Sequence, residues 1–338
     1  MSDLTTTWLG LKLKSPLVAS SSPLCDSVEG IVRLEDHGVA AVVLPSLFEE
    51  QLELESAALD ADLFRGSESF AEALTYFPEA PPHGLGPDRY LELIRRAKER
   101  VNIPVIASLN GISEGGWVRY ARLMEEAGAD AIELNLYAIP TDPARTGAAV
   151  EQGDLELVAA IRRTLRVPMA VKLSPFFSAP ANMGRRLGEA GADGLVLFNR
   201  FYQPDFNIED QEVVASLSLS RPEELLLRLH WTAILFGRVG ADIGITGGVH
   251  SARDVVKCIM AGARVAFMAS ALLKNGVGHA ERVLTDLDRW LDSHEYASVA
   301  QMRGGMSYKA VPDASAYERG NYMKVLGSYT LRTGALDD

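Results

Sequence analysis

The chain reads as an α/β protein of the (β/α)8-barrel (TIM barrel) class, and three features of its sequence carry that reading. Five segments pass from small residues into a short apolar run: HGVAAVVLPS (37–46), AGADAIELN (127–135), AGADGLVLFN (190–199), VGADIGITGG (239–248) and AGARVAFMAS (261–270). Two more place proline at the same join, VNIPVIASLN (101–110) and LRVPMAVKLSP (165–175), and Ser15-Pro16-Leu17-Val18-Ala19-Ser20 adds one near the start. These eight phrases alternate with helix-length stretches in a chain of 338 residues, enough for one barrel of ~250 residues with insertions.

Each join has a physical reason. In the five small-residue phrases a glycine can take the positive φ that ends a helix, and the four to six apolar residues after it form a strand covered on both faces. In the two proline joins the ring stops the helix, and its missing N–H is tolerated at a strand's first position. Every connection is long enough for a crossover helix between parallel strands. A doubly wound open sheet is the alternative fold, but the first strand–turn–helix region holds no G-x-G-x-x-G.

The extra length falls after strands 2, 4 and 6 and in a tail. The whole reads as one domain, a barrel over about residues 10–290 followed by an extension over about 291–338. Residues 47–82 are acidic with a helical period and end in a proline cluster, an excursion expected beside the barrel mouth. Residues 137–153 read as a Pro/Gly-rich loop in the place of a mobile lid. Residues 200–221 read as a second long loop, leading to a helix near Pro222 with Ser220 as its N-cap. The extension is expected to cover the barrel bottom or to form a subunit contact.

Composition narrows the function. A formal charge of −12 with no basic run argues against a nucleic-acid partner. Cys25 and Cys258 offer neither metal-ligand spacing nor a disulfide framework, so no metal centre or iron–sulfur cluster is expected. No signal-peptide pattern or membrane-length apolar run is present, and the expectation is a soluble, cytoplasmic protein.

A barrel enzyme carries its chemistry at the C-terminal ends of its strands. The polar residues there are Ser20, Ser46, Ser108, Asn110, Asn135, Lys172, Ser174, Asn199, Thr246 and Ser270. Amides and an ammonium on strands 3 to 6 suit a flat heteroaromatic ligand with alternating carbonyl and N–H edges, although serine and asparagine also cap helices. Lys172 stands between Val171 and Leu173 and needs an anionic or electron-rich neighbour; Glu133, inward like Asn135 by the period of two, is expected as a buried carboxylate in a salt bridge to Lys172 or another barrel residue rather than as a catalytic acid. Thr246-Gly247-Gly248-Val249 and Met268-Ala269-Ser270-Ala271 end strands 7 and 8, where a barrel places its phosphate site.

With these residues in view, the chain resembles the dihydroorotate dehydrogenase family of FMN barrels, in its class 1 form. The likeness rests on GLKLKSPLVASSSP, IELN, VKLSP, the strand 6 asparagine and ITGGVHSARDVVKCIMAGARVAFMASALL. The resemblance implies that Gly247, Gly248, Ala269 and Ser270 hold the FMN phosphate. Ser20, Asn110, Asn135, Lys172 and Asn199 would surround flavin and substrate, with Lys172, Asn135 and Asn199 in catalytic roles.

The chain departs from the family where the substrate is handled. The family continues its strand 4 asparagine as Ser-Cys-Pro-Asn or Ser-Ser-Pro-Asn, the cysteine or serine being the base. Here the sequence is Asn135-Leu136-Tyr137-Ala138-Ile139-Pro140, with Ala138 in the base's place. Strand 2 ends in Pro45-Ser46 instead of Lys-Ser, and the family's asparagine loop is reduced to His83-Gly84-Leu85-Gly86. Substitute bases to consider are Tyr137, Thr141, Cys25 and His83; His250 reads as a helix-start residue, His230 as helical packing, and Arg145 as a clamp for an anionic substrate or a solvated arginine.

The function these residues imply is an FMN-dependent oxidoreductase converting dihydroorotate to orotate in pyrimidine biosynthesis, or acting on an altered substrate because Ala138 replaces the base. Alternatives are a non-redox phosphate-binding barrel (isomerase, lyase or synthase) and a non-catalytic flavoprotein subunit that binds a partner through residues 47–82. A homo-oligomer with a redox partner chain is the expected assembly.

Overall fold

All eight apolar phrases become parallel strands, hydrogen-bonded to their neighbours in sequence order and closed into a barrel when the last meets the first. The computed structural model describes residues 2–48, 86–110, 114–201, 203–215 and 217–328. The strands are β1 (Leu17–Ala19), β2 (Val42–Phe48), β3 (Val105–Asn110), β4 (Ala131–Asn135), β5 (Met169–Leu173), β6 (Gly194–Leu197), β7 (Asp242–Thr246) and β8 (Val265–Met268). Between and after them come α1 (Val28–Asp36), α2 (Pro87–Arg100), α3 (Glu114–Glu126), α4 (Gly147–Thr164), α5 (Pro180–Glu189), α6 (Leu225–Leu235), α7 (Ala252–Ala261), α8 (Ser270–Asn275) and α9 (His279–Ser293).

The joins work largely as the sequence suggests. Gly38, Gly128, Gly191 and Gly262 all take positive φ at helix ends. Gly240 does not: α6 stops earlier, at Phe236, and Gly237 makes the left-handed turn. Strand β2 runs two residues beyond its phrase, because a register shift between Val43 and Ser46 absorbs Pro45 and lets pairing resume with β3 through Phe48.

Period-two alternation splits each strand between two cores. Val18, Val43, Ile106, Ala131, Ala170, Val196, Val265 and Phe267 fill the lumen, while Leu17, Val42, Val105, Ile132, Val171 and Leu195 pack outward among the helices. A hairpin, Thr6–Trp8 with Leu11–Leu13, closes the lumen from below by adding Trp8, Leu9 and Leu13 to it. Trp8 meets Phe267 edge-on at 5.7 Å. This floor needs Gly244, since a Cβ there would lie 2.5 Å from Phe267 and 3.1 Å from Trp8.

Two expected loops are ordered differently. Residues 147–153 form the start of α4, whose N-cap Thr146 accepts a hydrogen bond from the Ala149 N–H. Residues 205–214 fold back as a hairpin, Asp205–Asn207 against Glu212–Val214. The expected cap Ser220 is replaced by Arg221, whose backbone N–H donates to Glu224 Oε1 at 2.9 Å ahead of α6. After α9 the extension lies along α6 and α7: Gly304 and Met306 N–H groups donate to Ile259 and Met260, and Tyr308 to Ala233. The acidic stretch at 47–82 falls outside the described residues except for its first two positions.

Candidate active site

The register of three adjacent strands aligns the polar residues at the mouth. Asn110 of β3 pairs with Asn135 of β4, and Asn135 with Lys172 of β5, so these lumen-facing positions form one row. One layer deeper, Ser108 pairs with Glu133. All five are buried. Lys172 Nζ donates to Glu133 Oε1 at 3.3 Å, one of the pairings the sequence leaves open for Glu133. Asn199 Nδ2 donates to Asn135 Oδ1 at 2.8 Å, tying the end of β6 to β4. Ser46 and Ser108 share a 2.8 Å hydroxyl hydrogen bond that holds β2 against β3.

A cavity of about 240 Å³ runs from Lys172, Phe198 and Asn199 to the ends of β7 and β8. Ser20, Thr246, Gly247, Gly248, Ala269 and Ser270 also line it. Eight of the sequence-expected residues thus share one wall. Asn135 joins them through Asn199, and Asn110 through the row. Ser174 opens instead onto a separate cavity.

The end at β7 and β8 is built from close backbone approach. Gly247 and Gly248 have φ of 89° and 80°, a region L side chains rarely adopt. A Cβ on Gly248 would fall 2.5 Å from the Leu225 nitrogen, and one on Gly247 2.8 Å from the Arg228 guanidinium. The turn therefore packs directly on the first turns of α6. Ser220 completes it: its hydroxyl donates to Ser270 Oγ at 2.9 Å and accepts from the Gly248 N–H at 3.3 Å.

Arg228 is the residue that sequence reasoning missed. It is buried behind the glycine turn, and its Nε and Nη1 donate to the carbonyls of Thr246 and Glu224. Burial holds its pKa below the usual arginine value, while Glu224 acts in the opposite sense. A lone arginine inside the apolar run LLLRLHW was the available signal.

The substitute bases do not gather at this cavity. Cys25 is fully buried, and desolvation pushes its thiol up to about 12, so it is packed rather than reactive. Tyr137 stacks on Phe201 at 4.7 Å, Thr141 is exposed, and His83 lies outside the described residues. His250 donates its N–H to Asp254 beside the N-cap Ser251, and His230 packs near Trp231 and Tyr317. Ala138 and Arg145 line a second cavity of about 550 Å³, with Ile139, Phe176 and Asp154. There desolvation pushes the Asp154 carboxyl up to about 6 against the opposing pull of Arg145. The described residues lining the first cavity include no histidine, cysteine, aspartate or glutamate. Among the described residues no three metal-ligating side chains cluster, and no helix is long and apolar enough to cross a membrane.

Comparison with known proteins fits this geometry. The dihydroorotate dehydrogenase family profile matches residues 83–291. The catalytic subunit of dihydroorotate dehydrogenase B (NAD(+)) from Thermoplasma acidophilum is 28% identical, across 90% of this chain and 99% of its own. Its counterpart from Desulforudis audaxviator is 30% identical across 61% of this chain and 70% of its own. The PreA subunit of NAD-dependent dihydropyrimidine dehydrogenase from Escherichia coli K12 is 25% identical across 92% and 78%.

Proposed function

The chain belongs to the dihydroorotate dehydrogenase family, and from that premise we propose that it is an FMN-dependent oxidoreductase whose substrate differs from dihydroorotate. The supporting observation is the continuity of one cavity from the Gly247-Gly248 turn to Lys172 and Asn199. A phosphate at one end and a flat, hydrogen-bonding ring at the other need that spacing of chemistries.

The residues present fit the cofactor. Gly247, Gly248, Ala269 and Ser270 would hold the phosphate, the glycines because no side chain fits between the turn and α6. Ser220 and Ser270 add hydroxyls, and Arg228 lends positive charge from behind. Ser20, whose hydroxyl is 3.3 Å from that of Thr246, lines the middle of the cavity. At the far end Lys172 spends one of its three donors on Glu133 and keeps the others for an electron-rich ring edge. When bound, the flavin supplies two-electron chemistry by taking a hydride equivalent from a C–H bond. Lys172, its position fixed by Glu133, would stabilise negative charge at that ring edge without having to reorganise.

Asn135 and Asn199 read the substrate. Their mutual hydrogen bond uses one donor and one acceptor, leaving the Asn135 Nδ2 and the Asn199 Oδ1 to meet an amide-like edge. What the described wall lacks is a histidine, cysteine or carboxylate, and Ala138 leaves the family's base position without a proton acceptor. General-base help is typically worth ~10²–10⁴ in rate, so dihydroorotate would be oxidised slowly here. The family names of the relatives favour a ring amide acted on at a C–C bond, and their naming as subunits favours a redox partner chain for a cytoplasmic, homo-oligomeric enzyme. The barrel and its extension are read as one domain.

Purification tests the first half of this reading: the protein should carry FMN, and a colourless product that does not take up added FMN would overturn it. Anaerobic mixing tests the second half. Dihydroorotate should bleach the flavin at least about a hundredfold more slowly than the true substrate does; bleaching by dihydroorotate within the first turnover time of ordinary enzymes, about 0.1 s, would restore the pyrimidine assignment.

A further inference from the structure

At the opposite end of the barrel from the mouth, a cavity of about 650 Å³ opens between the N-terminal hairpin, α7 and the segment after α9. Its walls carry four cations, Lys12, Lys14, Arg264 and Arg303, together with the threonines at 5–7, and no carboxylate. The chain as a whole has 45 acidic against 33 basic residues, so this concentration runs against its average.

The cations are only partly satisfied from within. Arg264 Nε pairs with Asp242 Oδ1 at 2.7 Å, and the other oxygen of Asp242 already accepts from the Leu9 N–H at 3.2 Å. Lys14 reaches a carbonyl, that of Glu35, at 3.2 Å. Arg303 has no carboxylate within ion-pair distance among the described residues, and its guanidinium lies 5.5 Å from the Phe236 ring centre. Burial and the nearby Arg264 hold its pKa below the usual arginine value, while Asp242 acts in the opposite sense. With four cations on its walls and the Asp242 carboxylate paired to Arg264, the cavity keeps a net positive charge, which a small anion would neutralise. The space is within the ~300–1,000 Å³ typical of small-molecule sites.

We propose that this basal cavity is a second ligand site, specific for a small polyanion bearing linked phosphates, and separate from the phosphate site at β7 and β8. Arg264 and Arg303 grip the phosphate oxygens, Lys12 closes over them from the exposed hairpin, and the threonines supply neutral donors. The site does not depend on the oxidoreductase reading, since no residue is shared between the two cavities.

Isothermal titration with pyrophosphate, on the full-length protein saturated with FMN at physiological salt, tests it. One pyrophosphate per chain should bind with a dissociation constant below about 1 mM, and added salt should weaken it. Arg303→Gln and the surface change Lys12→Gln should each weaken binding at least about tenfold, while Arg200→Gln, at a residue lining the mouth cavity, should leave it as it was. No binding by the unaltered protein, unaltered affinity in either basal variant, or loss caused by Arg200→Gln would overturn the proposal. If the protein takes up no FMN, the same comparison of basal and mouth variants still separates the two sites.

Discussion

At the scale of single residues, Lys172 joins a buried ion pair to the chemical role proposed for it. It is buried with Glu133, and removing one member of a buried pair typically costs about 3–5 kcal/mol because the other charge is left unpaired. Lys172→Met should therefore destabilise the fold and also slow flavin reduction. Adding Glu133→Gln should recover most of the stability, read by denaturant midpoint, without recovering the rate; recovery of both would remove Lys172 from the chemistry. Ala138 gives the opposite lesson. Ala138 occupies the place of the family's base, so a cysteine there is the obvious restoration, but Ala138 faces the cavity shared with Ile139 and Phe176. Ala138→Cys alone should leave dihydroorotate oxidation unchanged in a stopped-flow assay, and a rise of about a hundredfold would show that the loop swings inward. The Lys172–Glu133 pair was legible in the sequence because a period of two fixes which way both point. The cavity onto which Ala138 opens was not, since it depends on how Phe176 and Phe201, from two other loops, fold against the segment after β4.

Among the secondary-structure elements, α6 sets the form of the proposed phosphate end. It presses on the Gly247-Gly248 turn through Leu225 and Arg228, and its preceding segment delivers Ser220. Gly248→Ala should weaken FMN retention by at least about tenfold, because the new methyl meets backbone rather than a movable side-chain end, at a φ that alanine disfavours. Arg228→Met should be more selective. A charged hydrogen-bond group contributes about 1.5–3 kcal/mol, so FMN affinity should fall by about tenfold or more while riboflavin, which lacks the phosphate, changes little. Equal losses for both ligands in a fluorescence titration would assign Arg228 to packing. Sequence reading located the glycines, since strand ends 7 and 8 are a known position in the barrel. It misjudged Ser220 as a helix cap, because its partners Gly248 and Ser270 lie 28 and 50 residues away and nothing local announces them.

For the molecule as a whole, the two ends of the barrel have different work. The mouth gathers amides, hydroxyls and one ammonium around a cavity, whereas the floor is sealed by Trp8 over Gly244 with cations outside it. Ligand binding should therefore register in global stability: FMN at a hundred times its dissociation constant should add about 2.7 kcal/mol, visible as a rise of several degrees in melting temperature. An unchanged melting temperature would mean that FMN does not bind the folded barrel. The amino-acid sequence by itself determined the eight strands, their order and the polar row across β3, β4 and β5, because those follow from short-range rules: glycine and proline at joins, apolar runs, and alternation of faces. Tertiary structure alone decided that residues 147–153 join α4, that Arg228 backs the glycine turn, and that Lys12, Arg264 and Arg303 converge beneath the floor. Each of those depends on which distant segments the closed barrel brings into contact, and no local pattern encodes that distance.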